Sequence, residues 1–479
     1  PELRTGPKRN TKAAITADLP VGENAPARHV ALPPRPAGSG SVTVFSLLKS
    51  PAPNHPVHQQ DDAAMKNNSI KTVAVIGCGP SGATLASFLA KEGIDVTIFD
   101  DGRRPDLIVG ESLIPAIIPV LRKLDLEQRA ADICQHKPGV SFTLSADERI
   151  DFTFHSLTGT CLPTYAYNSP RPAFDQLLDK RAEELGAKRA KVRAKVERVN
   201  GNQLRLADET LSQAPWLNGN QPDLLVDATG RNRLFARTLE IPSELGPRKD
   251  VAYFAHYDGF DIPTPPGQVI IGRLENGWCW RIPLRDRLSV GVVLNKDDAA
   301  RFGDTPEERL DGIIGHDPLL SAAGAHRRRV SEVATYANYQ LISTAGHGPG
   351  WVMVGDAFGF VDPMLSPGMW LALRSAELLA EKLDDTPGYA LEMQKMIKSW
   401  MALVEFFYDG RIFAMYKTGM FFEKAFPGKI SDAMHQFFNT KIACMASGLT
   451  TTSLFGHALL RCCAGPASWK TNPATLAIR

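Results

Sequence analysis

Gly77-Cys78-Gly79-Pro80-Ser81-Gly82 is the stretch that decides the fold. It follows a short apolar run, Thr72–Ile76, and opens a segment of helical pattern, Ala83–Ala90. A second apolar run, Asp95–Phe99, ends at Asp100. Strand, glycine turn, helix and strand in this order begin a parallel sheet with helices on its faces. Gly77 permits the tight turn after the strand. Gly79 lets the backbone approach a diphosphate, and Gly82 lets helix and strand pack closely. Pro80 and Ser81 then lie in the first helical turn, whose free N–H groups and dipole favour an anion. Asp100 stands where a carboxylate accepts from ribose hydroxyls.

Two more strands farther along end in motifs of the same kind. Leu224–Asp227 runs into Ala228-Thr229-Gly230, and Trp351–Val354 runs into Gly355-Asp356-Ala357. A carboxylate at Asp356 can accept from the ribityl hydroxyls of a flavin chain, an element for which a plain NAD dehydrogenase has no use. FAD is therefore the expected cofactor, with Thr229, Gly355 and Asp356 added to its contacts. Between Val251 and Leu294 the apolar period switches to two, over Val269–Arg273, Trp278–Ile282 and Leu288–Leu294, as in an antiparallel sheet. After Met369 the pattern is mostly helical to about Leu460.

The expected fold is thus α/β: a Rossmann-like FAD-binding domain, whose three motifs in this order resemble the flavin monooxygenase type, an inserted antiparallel β-sheet substrate domain and a helical C-terminal segment. Residues 65–240 and 341–385 would form the discontinuous FAD domain, 241–340 the substrate domain and 386–479 the helical segment. The first 60 residues hold ten of the 35 prolines and a single aromatic, Phe45. Such a stretch cannot bury enough apolar surface to offset its ordering entropy. Residues 1–64 are read as a disordered or targeting extension outside the fold.

Composition narrows the partners. A net charge of +2 with Lys and Arg scattered among acids gives no nucleic-acid footprint. No run reaches the roughly 18 apolar residues of a membrane span. The seven cysteines show no C-x-x-C pair, so no metal site is expected, and reduced thiols in the cytoplasm are the simplest reading.

Three stretches resemble the flavin-dependent halogenases of the flavin monooxygenase superfamily. Gly110-Glu111-Ser112-Leu113-Ile114-Pro115 is similar to the family's G-E-[SA]-x-x-P segment. Trp278-Cys279-Trp280-Arg281-Ile282-Pro283 fits W-x-W-x-I-P. Phe360-Val361-Asp362-Pro363-Met364-Leu365-Ser366-Pro367-Gly368 fits F-x-x-P-x-x-S-x-G. The resemblance implies that reduced FAD and oxygen convert chloride or bromide to hypohalous acid. That acid then halogenates an aromatic or phenolic substrate in a separate pocket. It also implies that Trp278, Trp280 and Ser366 line the reaction side of the flavin. Arg171 would lie near the cofactor, and the N–H groups of Gly368 and Met369 would serve the halide. Because no second nucleotide motif is present, a separate flavin reductase would supply the reduced cofactor.

The chain departs from the family pattern at two places. Pro119 stands where the family has its catalytic lysine, and Lys123, one helical turn later, is the candidate substitute. Pro367, in the S-x-G position, brings no N–H to the halide. An FAD-dependent monooxygenase or reductase without halide chemistry is the alternative. His256 is read either as a base in the substrate pocket or as a satisfied core histidine.

Overall fold

A computed structural model of the chain describes residues 69–478, except 339, 426–427 and 465–472. The expectation for residues 1–64 lies outside the described residues. The strand Thr72–Ile76 is buried from Val73 to Ile76. It pairs in parallel with Asp95–Phe99 on one side and Leu224–Asp227 on the other, so Val75 sits between Ile98 and Val226. Burial on both faces explains the unbroken apolar run, since helices cover a parallel sheet on each side. Each fully buried Val or Ile there contributes roughly 1.5–3 kcal/mol. The six-stranded sheet runs in the order His347–Gly348, Trp351–Met353, Leu224–Asp227, Thr72–Ile76, Asp95–Phe99, Lys188–Ala190.

The helix after the glycine turn, Pro80–Lys91, has proline in its first turn and no capping side chain. It packs against the helices Arg171–Glu184 and Pro367–Glu381, which is why Ala83, Leu85, Ala86 and Leu89 are all fully buried. Close approach is built in: a Cβ at Gly82 would lie 2.1 Å from the Gly77 carbonyl oxygen.

The second sheet has eight strands. Asp250–Asp258, Leu288–Asn295, Gly277–Pro283 and Val269–Leu274 run antiparallel in that order, as the period-two pattern predicts. One part of the sheet is not foreseen by the expected boundaries. Gly139–Ser145 pairs in parallel with Val269–Leu274, and Glu148–Thr153 follows it, so residues from well before position 241 complete the sheet. The strands alternate between two cores. Phe254, Trp278, Trp280 and Val293 face the cofactor side. Tyr253, Tyr257, Cys279, Val290 and Val292 pack on the other side against Leu310, Ile313, Ile314 and Leu320. Helices Thr386–Tyr408, Arg411–Ala425, Lys429–Ala446 and Leu454–Ala464 form the C-terminal segment. Among the described residues no helix is long and apolar enough to cross a membrane.

Candidate active site

The three nucleotide motifs and the two tryptophans open onto one cavity of about 910 Å³. Gly77, Gly79, Pro80, Ser81, Asp100, Arg171, Thr229, Asp356, Ser366, Gly368, Met369, Trp278 and Trp280 all line it. Gly82 and Gly355 do not. They stand behind the wall, where Gly355, at φ +57°, leaves no space for a Cβ against Ser81.

The glycine turn fits a diphosphate. Gly77 (φ +97°) lies so close to the Ala228 carbonyl that a Cβ would sit 2.6 Å from its oxygen. Gly79, by contrast, borders open space on the cavity: a Cβ there meets nothing within 4 Å. Uncapped N–H groups of the helix Pro80–Lys91 follow at once. Asp100 is aimed by two backbone donors, Cys78 N at 2.8 Å and Gly102 N at 2.9 Å, and Arg104 Nη2 lies 3.7 Å away. Asp356 also lines the cavity, and burial pushes its carboxyl up to about 6 against the opposing pull of Arg231 and Arg171. Donors for a diphosphate together with acceptors for sugar and ribityl hydroxyls are the set that FAD needs.

Arg171 is 6 % exposed and grips Asp175 through two bonds, Nε–Oδ1 at 2.9 Å and Nη2–Oδ2 at 3.0 Å. Its Nη1 donates to the Val109 carbonyl. Gly110, at φ +94°, makes room, since a Cβ would lie 2.8 Å from that nitrogen. Thr229 turns inward: its N and Oγ1 donate to buried Asp227 at 2.9 and 2.6 Å. Asp227 also accepts from Phe235 N, so the end of that strand is fixed from three directions.

On the reaction side, Trp278 Nε1 donates to Tyr408 Oη at 2.9 Å, and Trp280 Nε1 to Ser289 Oγ at 3.2 Å. With both indole N–H groups taken by protein, the tryptophans show the cavity their carbon faces. Tyr408 in turn donates to Asp362 Oδ2 at 3.0 Å. Trp280 lies over Gly291, where a Cβ would be 2.2 Å from the indole. Opposite, Leu365 and Ser366 take left-handed φ values of +71° and +60°. That conformation costs about 1 kcal/mol or more for each such residue. The turn carries Ser366 Oγ away from its own helix and to 3.0 Å from Ser112 Oγ. Pro367 is the first helical residue, a position where a missing N–H removes no helical bond. Gly368 and Met369 keep theirs.

The structure corrects one candidate. Lys123 ends the helix Ile117–Lys123 on its exposed side. Its Nζ pairs with Glu377 Oε1 at 2.5 Å, 54 % exposed and outside the cavity lining. One turn of helix beyond Pro119 brings the chain to the outer face. Pro119 does not line the cavity either.

Sequence reasoning missed several groups. Glu111 lines the cavity and binds His256 Nε2 at 2.7 Å, so His256 is a satisfied partner of a carboxylate. Arg231, next to the Thr229-Gly230 pair, lies between the rings of Tyr336 and Phe360 at 5.5 and 5.6 Å. Lys137 is almost wholly buried. Arg231, beside Thr229-Gly230, and Glu111, inside the Gly110–Pro115 motif, carried a local signal; Lys137 depends on pairing between distant strands. Among the described residues no cluster of His, Cys, Asp and Glu is placed to hold a metal.

The fold and the cavity define an FAD-dependent oxidoreductase. A domain model for FAD binding matches residues 71–221, and the tryptophan halogenase model matches residues 153–418, more than half of the chain. The chain belongs to this flavin-dependent halogenase family. It is 28% identical over 380 residues to a tryptophan 2-halogenase of Chondromyces crocatus, covering 72% of this chain and 69% of the relative. It is 30% identical over 346 residues to a flavin-dependent halogenase of Penicillium aethiopicum, covering 65% of this chain and 64% of the relative. The chain therefore spans about two thirds of each of these relatives. In fold it is similar to a triple mutant of a flavin-dependent brominase, with a TM-score of 0.64 and 22% identity, over 81% of this chain and 97% of that one.

Proposed function

We propose that this protein uses reduced FAD and oxygen to halogenate an aromatic or phenolic small molecule, with chloride or bromide as the halogen source. One observation carries the reading. Trp278 and Trp280 wall the cavity with apolar ring faces on the side of the second sheet that meets the nucleotide motifs, their N–H groups held by Tyr408 and Ser289. Such a wall admits the flavin ring on one side and keeps an organic substrate on the other. The names of the relatives support the same chemistry.

Bound FAD supplies the electron transfer to oxygen. The chain's own residues hold and separate. The first turn of Pro80–Lys91 receives the diphosphate, Asp100 the ribose and Asp356 the ribityl chain. The uncapped first turn of Pro367–Glu381, with the N–H groups of Gly368 and Met369, offers a site for a halide beside Ser366. A separate flavin reductase provides reduced cofactor. The cytoplasm is the proposed location, a reducing compartment in which Cys78, Cys134, Cys161, Cys279 and Cys444 persist as free thiols.

The testing experiment mixes reduced, FAD-loaded protein with oxygen in a stopped-flow instrument, with and without bromide or chloride. Flavin reoxidation that accelerates with halide is expected. Reoxidation indifferent to both ions, with hydroxylated or reduced products, would replace this reading with that of a monooxygenase or reductase.

A further inference from the structure

Seven cationic and four acidic side chains line the cavity, an excess of three positive charges when all are ionised. Most of the cations have a fixed partner. Arg171 grips Asp175, Arg104 lies 3.7 Å from Asp100, and Lys195 pairs with Glu209 at 2.7 Å. Arg103 reaches Asp101 at 3.8 Å, and Arg231 donates to the Ala337 carbonyl at 3.0 Å. Arg193 and Arg237 are different. Both are exposed and line the cavity, and among the described residues their guanidinium groups have no hydrogen-bond or ion-pair partner.

The fold brings these two arginines to one part of the rim. Asp100 N donates to the Ala190 carbonyl at 3.2 Å, so the chain leaves the first sheet beside Asp100 and then passes Arg193. It continues into the strand Val196–Arg198. The helix Leu234–Thr238, which carries Arg237, packs on that strand. Both arginines therefore border the part of the cavity next to the carboxylate that would receive the ribose.

A nucleoside seated there gives them no charge to pair with. Adenine and its ribose are neutral, and the negative charge of FAD lies on the diphosphate, which the uncapped first turn of Pro80–Lys91 receives. The two arginines thus gain no ion pair from the bound state, and fixing such long side chains would cost entropy. An FAD molecule still in solution is another matter. It approaches as an anion, and a cleft lined by an excess of one sign concentrates the field at its mouth. A cube of about 910 Å³ has an edge of about 10 Å, close to the screening length in about 0.1 M salt, so charges on the rim act across the whole opening.

We propose that Arg193 and Arg237 form an electrostatic entrance for the flavin. They raise the rate at which the anionic cofactor reaches the cavity and contribute little to holding it there. The inference rests on the reading that reduced flavin arrives through solution from a separate reductase. Oxygen in the same solution competes for that flavin, and each molecule oxidised on the way is lost to the reaction. A faster capture step therefore sets how much reduced flavin is used productively.

The test uses the whole chain, freed of flavin, mixed with oxidised FAD in a stopped-flow instrument. Quenching of flavin fluorescence reads association, and displacement reads dissociation. Arg193→Gln combined with Arg237→Gln removes both charges and keeps polar side chains on the surface. In about 20 mM potassium acetate the double variant should associate with FAD roughly tenfold more slowly, the lower end of electrostatic steering. Its dissociation rate should stay within about twofold, because charges on a rim act on the approach. The gap should close in about 1 M potassium acetate, where the screening length falls to about 3 Å. Arg193→Glu with Arg237→Glu should slow association further at low salt. Riboflavin, which lacks the diphosphate, should associate at a rate indifferent to salt and to the substitutions. Unchanged FAD association at low salt, a loss carried by dissociation, or a salt dependence shared by riboflavin overturns the entrance. The halogenase reading is judged separately, by whether halide accelerates reoxidation of the wild type. Association is measured with oxidised FAD and without halide, so it decides the entrance whichever way that reading falls.

Discussion

Replacing Arg171 by Met separates two roles of one side chain. Asp175 is 2 % exposed, and Arg171 is its bidentate partner. Removing the guanidinium leaves a buried carboxylate uncompensated, which costs about 3–5 kcal/mol. The described part of the chain is about 400 residues long. At an unfolding entropy of about 2.1 cal/mol/K per residue, that cost lowers Tm by roughly 3–6 °C. Arg171→Met with Asp175→Leu removes both charges, and a hydrophobic replacement of a buried pair is close to neutral. The double variant should melt within about 1 °C of the wild type. FAD affinity should behave differently. If the guanidinium contributes a charge-assisted bond to the cofactor, worth about 1.5–3 kcal/mol, single and double variants both lose roughly 10- to 100-fold in Kd. Differential scanning calorimetry of the apo-proteins and flavin fluorescence titration read the two effects. A double variant with wild-type FAD affinity would refute the cofactor role and leave Arg171 as scaffold. A single variant melting like the wild type would refute the buried-pair argument.

Asp356→Asn should change the pH dependence of apo-protein stability. The folded carboxyl is raised to about 6 from 3.8, so its burial cost is absent below about pH 4, grows as pH rises and is complete above 6. The variant should gain on the order of 3 kcal/mol at pH 7 and nothing at pH 4, while FAD binds more weakly at pH 7. Parallel Tm curves for the two proteins between pH 4 and 7.5 would contradict this. Lys123→Met removes a half-exposed ion pair from Glu377, which keeps Arg374 as a partner. It should cost about 1 kcal/mol or less and leave turnover within about twofold; a large loss of rate would restore Lys123 to the mechanism. Gly291→Ala places a methyl where the Trp280 indole lies, so destabilisation of about 1–3 kcal/mol and altered tryptophan emission are expected. An unchanged emission spectrum would show that the indole is not seated there.

What was legible in the sequence follows physical range. Thr72–Ile76 and the glycines after it declare themselves locally, because a buried parallel strand must be continuously apolar and the turn excludes side chains. Trp278 and Trp280 were legible as neighbours on one sheet face because strands alternate with period two. The addition of Gly139–Thr153 to the same sheet was not legible, since its parallel pairing with Val269–Leu274 spans more than a hundred residues. Helical spacing placed Lys123 one turn from Pro119, but spacing alone does not say which face of a helix meets the cavity. Lys137, between His136 and Pro138, reads as a surface residue until Ser112, Leu113 and Phe154 are seen to close over it.

The Trp278–Tyr408–Asp362 tie also bears on biosynthesis. A nascent chain that has emerged only as far as Leu383 already holds every glycine and acid of the FAD cradle, together with the tryptophan strand and Asp362. Its Trp278 indole still lacks Tyr408, which arrives at the end of the helix Thr386–Tyr408. The residues of the cofactor cradle are therefore all made before the reaction wall can be completed. The helix that brings Tyr408 also ties itself to the first sheet, where Tyr389 Oη donates to the Met353 carbonyl.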